Sequence, residues 1–171
     1  MQPQHGLAQA LSSDRIKEIL THTFMPQTIY LGADHAGFEL KEKIKDFLKL
    51  NEYLPDDLTP GPIDLKDDYP DAATKVTTKV LETADALGIL ICGSGNGICM
   101  AANKIKGIRA ALGYNIQSAK KAREHLNANI LCLAGGVLQP DYAQAITRHF
   151  LETPFSEDER HKRRIEKLEK I

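Results

Sequence analysis

The side chains best suited to chemistry lie around a glycine-rich stretch near the middle of the chain. Cys92 ends an apolar run, and residues 93–97 then alternate three glycines with Ser94 and Asn96. Backbone N–H groups in such a loop can approach a ligand without obstruction by Cβ atoms, and a following helix start adds further free amides. The pattern indicates either an anion-binding loop with a thiol at its edge or a tight strand-to-helix turn that holds a buried thiol.

Two common phosphate-binding motifs do not fit this loop. The dinucleotide fingerprint needs a third glycine where the chain has Ile98, and an acidic residue about 20 positions further on, near Gln117. The Walker loop needs Gly-Lys-Ser or Gly-Lys-Thr, which does not follow the glycines. The sequence therefore disfavours a nicotinamide site and a Walker-type phosphate site.

A second pair of reactive side chains, Asp34 and His35, follows the first strong strand pattern at residues 28–33. A helix pattern with apolar residues at Leu40 and Ile44 comes next. Ligands of open α/β sheets bind at this place, between the carboxyl end of a strand and the next helix. Asp34 could instead only cap the helix, which is by itself the commoner role for an aspartate there.

The alternation of strand and helix patterns predicts the fold class. Short apolar runs predict strands at 28–33, 88–91, 109–113 and 130–134, with a weak further signal near Tyr53. Helical patterns cover 40–48, a segment that begins near Pro70, 98–104, 116–124 with Asn115 as its cap, and 141–151. We predict an α/β fold: a single-domain, Rossmann-like three-layer αβα sandwich with a mostly parallel sheet of about five strands.

The two ends of the chain differ from this pattern. Residues 1–27 predict an N-terminal extension with a short helix, and residues 28–155 form the predicted α/β domain. Residues 156–171 predict a charged C-terminal helix, in which Arg160 and Arg164 share one face and could clamp a phosphate. A solvated face is the alternative, since acids nearly balance the bases and no aromatic residue lies among them.

The composition bounds the class of protein. The chain has 171 residues, 42% of them apolar, and a formal net charge of -1, which gives no general attraction to nucleic acid or membranes. No apolar run approaches the ~20 residues of a membrane span, and the N-terminus lacks a secretory pattern. Its three cysteines include no Cys-x-x-Cys pair, which argues against a disulfide framework or structural zinc. We expect a cytoplasmic protein that binds neither nucleic acid nor membrane.

Six motifs, in the same order, resemble those of the ribose-5-phosphate isomerase B group, which also includes galactose-6-phosphate and allose-6-phosphate isomerases. The resemblance covers about residues 29–166. Its motifs are Gly32-Ala33-Asp34-His35-Ala36-Gly37-Phe38, Asp68-Tyr69-Pro70, Ile89-Leu90-Ile91-Cys92-Gly93-Ser94-Gly95-Asn96-Gly97, Ala101-Ala102-Asn103-Lys104, Arg123-Glu124-His125 and Arg160-His161-Lys162-Arg163-Arg164. The resemblance favours the anion-binding interpretation of the glycine loop.

The resemblance implies an enzyme that interconverts aldose and ketose phosphates through an enediolate, with no metal and no other cofactor. Cys92 would remove the carbon-bound proton, and Ser94 would carry a proton between the two substrate oxygens. The loop amides would bind the enediolate oxygen, and the loop positions assigned to the substrate are Gly93, Gly95, Asn96 and Gly97. Some members have a glutamate at the position of Ile98, so its absence leaves Cys92 as the only candidate base.

The resemblance also assigns the remaining site residues. His125, which the pattern places just beyond the helix 116–124, would open the cyclic sugar together with Asp34. Tyr69 would line the sugar pocket. The phosphate ligands would be His35, Arg160 and Arg164. Because family members build each site from two subunits, the resemblance implies a homodimer or a dimer of dimers whose C-terminal helices complete the active sites.

Two positions depart from the family pattern. Leu126 stands where the family usually has asparagine, which removes a polar contact to the sugar hydroxyls, and Gly136 stands where it commonly has arginine. The second change removes a phosphate contact of a kind that contributes about 1.5 to 3 kcal/mol. Ribose 5-phosphate is the expected substrate. A hexose 6-phosphate of the allose or galactose type, or sugar-phosphate binding without turnover, are the alternatives.

Overall fold

The computed structural model describes residues 27–171, so the predicted N-terminal extension and its short helix lie outside the described residues. The described part contains the strands β1 (Thr28–Ala33), β2 (Leu54–Asp57), β3 (Leu87–Cys92), β4 (Ala110–Leu112) and β5 (Ile130–Ala134). It also contains the helices α1 (Phe38–Leu50), α2 (Tyr69–Glu82), α3 (Asn96–Ala102), α4 (Ile116–Leu126), α5 (Pro140–Glu152) and α6 (Glu159–Leu168).

These strands form one sheet in the order β2-β1-β3-β5-β4, and every neighbouring pair runs parallel. From β1 the chain crosses to β2 on one side, whereas from β3 it continues to β4 and β5 on the other side. Open α/β sheets bind ligands in the crevice at such a switch point, outside the carboxyl ends of the strands. Asp34 follows β1 and Cys92 ends β3, so both residues border this crevice.

A hydrophobic core on each face of the sheet produces three layers. One core joins strand residues such as Leu31 and Ile89 to α1, α4 and α5. The other core joins the intervening strand residues, among them Leu90 and Cys92, to α2 and α3. All six residues of β3 are buried, as expected for a parallel strand that helices cover on both faces. The predicted αβα sandwich is thus confirmed.

Two of the predicted boundaries that differ from the structure concern candidate site residues. Helix α4 extends to Leu126, so His125 lies in its last turn and not beyond it, because Asn127 ends the helix with a left-handed backbone at φ 44°. Helix α3 begins at Asn96, not at Ile98, because the turn is already complete at the preceding glycine. These changes alter only where the candidate residues sit on their helices.

A buried lysine anchors the segment that leads from β2 to α2. Lys41 in α1 is 0% exposed, and its Nζ donates to both carboxylate oxygens of Asp57 at 2.7 Å and to the Thr59 carbonyl at 2.5 Å. Lys45 Nζ donates to Asp57 as well, at 2.8 Å. Burial alone would raise the pKa of Asp57, but the hydrogen bonds from the two lysines outweigh it and hold the pKa below its ordinary value. This cluster fixes the start of the crossing segment, residues 58–68.

Candidate active site

Three loops meet at the carboxyl edge of the sheet, after β1, β3 and β5. Gly37 lies against the peptide bond that precedes Cys92, where a Cβ atom would overlap main-chain atoms. The amides of Gly135 and Gly136 donate to the carbonyls of Cys92 and Gly93 at 2.8 and 2.9 Å. The loops therefore pack backbone against backbone, and this packing holds the glycine loop, residues 93–97, in place.

The glycine loop makes a sharp turn between β3 and α3. Gly95 has a left-handed backbone at φ 74°, and a Cβ atom there would lie 2.6 Å from Leu112 Cδ1, so only glycine fits. The Ser94 hydroxyl accepts a hydrogen bond from the Asn96 amide at 3.3 Å. Among the described residues, no backbone or side-chain acceptor bonds the amides of Gly93, Ser94 and Gly95. Those amides are available to an anionic ligand.

Cys92 is the last residue of β3 and carries a free thiol that is 4% exposed. The other two thiols belong to the same side of the sheet, where the partly buried Cys99 and the fully buried Cys132 interact with each other. Cys132 is fully buried, and burial holds its pKa well above the ordinary value. Cys92 therefore combines the carboxyl end of a central strand with a direct link to the glycine loop, which neither other thiol does.

Asp34 stabilises the turn after β1. Its amide donates to the Ile91 carbonyl at 3.3 Å, and its Oδ1 accepts from the Gly37 amide at 3.0 Å. Gly37 itself is the N-cap residue of α1, so the aspartate bonds within the turn and does not occupy the cap. Burial raises the pKa of Asp34, against the opposing effects of the Gly37 amide and of nearby His35. A carboxyl group with a raised pKa at the edge of a crevice is suited to proton transfer.

Tyr69, the first residue of α2, packs its ring against the glycine loop. A Cβ atom at Gly97 would lie only 2.8 Å from Tyr69 Cζ, so the ring rests directly on the glycine backbone. The side chain remains 40% exposed. The aromatic ring thus forms one wall beside the loop and is open to a ligand on its other side.

A carboxylate from the crossing segment holds His35. Asp67 Oδ1 accepts from the His35 amide at 2.9 Å and lies 2.7 Å from His35 Nδ1. The hydrogen bond to Asp67 raises the pKa of His35, and the charge of Asp34 acts in the same direction, although partial desolvation opposes both. His35 also borders a cavity of about 280 Å³ whose charged wall residues are Asp64, Asp67, Asp68, Asp71 and Lys75.

His125 and Arg164 lie in a different place, a groove of about 340 Å³ between α4 and α6. The His125 ring lies against His161, with ring centroids 4.3 Å apart. His161 is 3% exposed, and its Nδ1 shares a hydrogen bond with Ser156 Oγ at 2.7 Å. Burial lowers the pKa of His161, and the charges of His125 and the neighbouring arginines add to this effect. A neutral His161 therefore packs against the His125 ring on its buried side.

The two predicted phosphate arginines both lie on α6. Arg160 lies 3.4 Å from Asp158, and its side chain is 61% exposed. Arg164 borders the His125 groove, and no acidic group within residues 27–171 pairs with it. The guanidinium of Arg164 is thus free to bind an anion.

Within one chain, the predicted site residues form two groups. The loop group lies at the carboxyl edge of the sheet and consists of Asp34, His35, Tyr69, Cys92 and residues 93–97. The helix group lies on α4 and α6 and consists of His125, Arg160 and Arg164. The groove of the helix group contains no residue of the loop group. Within one chain, the helix group and the loop group therefore do not line a common groove.

Two residues that the sequence analysis did not single out support these groups. Asp67 holds His35, and its only sequence signal is its place in an aspartate-rich crossing. His161 stacks on His125, and its signal is its position between Arg160 and Arg164 in the quoted motif.

The two residues that depart from the family pattern lie in different places: Leu126 lies beside the helix group, and Gly136 lies beside the loop group. Leu126 is 42% exposed and borders the His125 groove, so it presents an apolar surface where a polar side chain was expected. Gly136 lies beside the glycine loop, and a Cβ atom there would lie 3.1 Å from the Gly93 carbonyl oxygen.

Within residues 27–171, no group of three or more His, Cys, Asp or Glu side chains is arranged to hold a metal ion. In the same part of the chain, no helix has the length and apolar character that a membrane crossing requires.

Comparison with known proteins adds three kinds of match. A sequence model described as Ribose/Galactose Isomerase matches residues 29–168. The ribose-5-phosphate isomerase B of Mycobacterium tuberculosis is 43% identical over 140 residues, which cover 82% of this chain and 86% of that protein. A ribose 5-phosphate isomerase from Thermotoga maritima has a similar crystal structure, with a TM-score of 0.81, 42% identity, and coverage of 85% of this chain and 99% of the other.

A further similar structure contains a ligand. Ribose-5-phosphate isomerase B from Mycoplasma genitalium, solved with bound ribulose 5-phosphate, matches with a TM-score of 0.81 and 42% identity. The match covers 85% of this chain and 96% of that one.

Proposed function

The chain belongs to the ribose/galactose isomerase family, and from that premise we propose that it interconverts ribose 5-phosphate and ribulose 5-phosphate. Membership makes it a sugar-phosphate isomerase. The choice of the pentose phosphate is supported by the names of its relatives and by the ribulose 5-phosphate bound to the similar Mycoplasma genitalium protein.

The observation that carries the mechanism is the position of Cys92. Its thiol ends the central strand β3 at the switch point of the sheet, directly before the free amides of the glycine loop. A thiolate is the form that can accept a proton, and amides that point at one region stabilise negative charge there. Cys92 is therefore the base that removes the proton from C2 of the aldose.

The enediolate carries its charge on the oxygens at C1 and C2, next to the glycine loop. Amides such as those of Gly93 and Gly95 bind this charge more strongly than they bind the neutral carbonyl of the substrate, so they lower the barrier. The Ser94 hydroxyl can both donate and accept, so it carries the proton from one oxygen to the other. Cys92 then returns its proton to C1, and ribulose 5-phosphate results.

Opening of the cyclic sugar precedes this step and needs an acid and a base. A histidine side chain is suited to accept the hydroxyl proton, and His125 is our assignment. Asp34, whose pKa burial raises, is the carboxyl group on the loop side. His161 keeps the His125 ring in place by direct ring contact.

We assign the two residue groups to different subunits of a homodimer, because the helix group does not border the loop group within one chain. Large apolar side chains near both groups remain exposed: Tyr114 66%, Leu126 42%, Met100 67% and Val137 72%. A second copy that covers these side chains would bring Arg160 and Arg164 of one subunit to the loop group of the other. The arginines and His35 would then bind the phosphate.

A turnover assay over a panel of aldose phosphates tests the proposed substrate. The purified protein is given ribose 5-phosphate and the 6-phosphates of allose, galactose and mannose, and ketose formation is measured. We expect the highest kcat/KM with ribose 5-phosphate. A preference for a hexose phosphate would reassign the substrate, and binding of all four without turnover would reject the isomerase proposal.

A further inference from the structure

One carboxylate oxygen in the crossing segment takes two hydrogen bonds from the same histidine. Asp67 Oδ1 lies 2.9 Å from the His35 backbone nitrogen and 2.7 Å from its ring nitrogen Nδ1. The two residues come from distant parts of the chain, the turn after β1 and the segment before α2. We propose that Asp67 is a positioning residue, which keeps Nδ1 of His35 protonated and leaves Nε2 to donate to the substrate phosphate. This proposal rests on the proposed function, in which His35 is a phosphate ligand.

The geometry determines which ring nitrogen faces the ligand. A carboxylate can only accept hydrogen bonds, so Nδ1 carries a proton when it bonds to Asp67. The second bond, from the backbone amide, ties the same oxygen to the histidine main chain and restricts rotation of the ring. Nε2 is then the one ring nitrogen that can contact a substrate.

The pair contributes little to folding. The side chains of His35 and Asp67 are 37% and 34% exposed, and ion pairs with that degree of exposure contribute little to stability. The crossing segment is held more firmly by the buried Lys41–Asp57 cluster. A role in ligand binding explains the short contact better than a role in stability does.

The charges around His35 make its protonation matter for phosphate binding. Asp34 and Asp67 act directly on the ring, and both favour the imidazolium. The cavity wall beside the ring adds three acids and one base: Asp64, Asp68, Asp71 and Lys75. These acids repel a phosphate dianion, so a neutral His35 would leave the phosphate next to uncompensated negative charge. A charged His35 compensates part of this negative charge and supplies a charge-assisted hydrogen bond to the phosphate.

Phosphate binding by His35 should weaken as the pH rises. Because the pKa of His35 is raised, the imidazolium is present at low pH and is lost as the pH rises through that pKa. Removal of the Asp67 charge lowers the pKa, so the loss occurs at lower pH. The phosphate is held in both ground and transition states, so KM should change and kcat should change little.

The test compares Asp67→Asn with Asp64→Asn. Asparagine keeps an oxygen that can accept both hydrogen bonds, so the fold is retained, and thermal unfolding verifies this. Asp64 borders the same cavity without contacting the ring, which makes it the matched control for the loss of one charge. The His35 pKa is measured by NMR from its ring proton, assigned with His35→Asn, and KM and kcat are measured from about pH 6 to 8.5, around the ordinary histidine pKa.

We expect Asp67→Asn to lower the pKa of His35 and to raise KM by about tenfold near neutral pH, with less than about a twofold change in kcat. Asp64→Asn should move neither value by a comparable amount. In a His35→Asn background, Asp67→Asn should raise KM no further, because the interaction is already absent. An additional rise in that background would mean a purely structural role and would overturn the proposal, as would an unchanged His35 pKa or an unchanged KM.

Failure of the proposed function gives a different result. If no sugar phosphate is turned over by the unmodified protein, inorganic phosphate replaces the substrate in the NMR titration. Weaker phosphate binding in Asp67→Asn than in Asp64→Asn would then support the role of Asp67, and equal binding in the two variants would refute it.

Discussion

Replacement of Arg164 with alanine tests whether α6 holds the substrate phosphate. Arg164 has no acidic partner within the described residues and borders the His125 groove, so its loss breaks no internal ion pair. One charge-assisted contact to phosphate contributes about 1.5 to 3 kcal/mol, which corresponds to roughly a 10- to 150-fold rise in KM. We expect kcat to fall much less, because the phosphate does not react.

Arg163→Ala is the matched control. It removes the same charge from the neighbouring position of α6, yet Arg163 does not border the groove. KM and kcat for ribose 5-phosphate are measured for both variants at low and at high salt. KM of the unmodified protein and of the Arg163 variant should rise with salt more steeply than that of the Arg164 variant, because screening weakens the contact that the latter lacks. Equal kinetics for Arg164→Ala and the unmodified protein would refute the phosphate clamp.

A mixture of Arg164→Ala and Cys92→Ala subunits tests whether the site is shared. If each site combines the loop group of one subunit with the helix group of the other, a mixed dimer regains one intact site of two. Random mixing in equal amounts makes about half the dimers mixed, so activity at low substrate should reach about a quarter of the unmodified level. If each site lies within one subunit, every site keeps a defect, and the mixture should show no gain over the separate variants.

Three further predictions follow from single contacts. His125→Asn should slow turnover of cyclic substrate far more than turnover of an open-chain analogue, and equal losses in the two assays would reject its ring-opening role. Gly95→Ala should abolish most activity and lower the unfolding free energy by at least about 1 kcal/mol, measured by denaturant unfolding, because of its left-handed backbone and the 2.6 Å approach to Leu112 Cδ1. Lys41→Met should lower the unfolding free energy by about 3 kcal/mol in the same assay, because it removes one partner of the buried Lys41–Asp57 ion pair. Since the pKa of Asp57 is depressed, its stabilising contribution is present above about pH 4 and is lost as the pH falls through its folded pKa, and Lys41→Met should weaken this acid dependence.

Most of the fold could be predicted from the sequence because the central strands are buried on both faces. The predicted strands 28–33 and 130–134 match β1 and β5 residue for residue, since continuous apolar runs mark such strands. The edge strand β2 gives only a weak signal because its four residues alternate between exposed and partly buried and include a proline and two aspartates. The sequence places the end of α4 too early because Asn127, two residues after His125, adopts the left-handed conformation that stops the helix.

The proximity of the candidate residues could be predicted only in part. Asp34 and Cys92 lie together because Asp34 follows β1 and Cys92 ends β3, and parallel strands present their carboxyl ends at one edge. The contact between His35 and Asp67 depends on the path of the crossing segment, which has no periodic pattern. The stacking of His125 on His161 depends on how α6 packs against α4, and short-range spacing carries no information about that angle.

The most direct test of the account is proton exchange at the substrate carbon. Unmodified protein, Cys92→Ala and the control Cys99→Ala are incubated with ribose 5-phosphate in heavy water, and deuterium at the reacting carbons is measured together with ketose formation. We expect Cys92→Ala to bind substrate but to lose at least about 10² of its turnover and the deuterium incorporation with it, while Cys99→Ala retains both. Loss of a general base typically leaves about a hundredth of the turnover or less. A Cys92→Ala protein that keeps more than about a tenth of the turnover would therefore show that another group removes the proton.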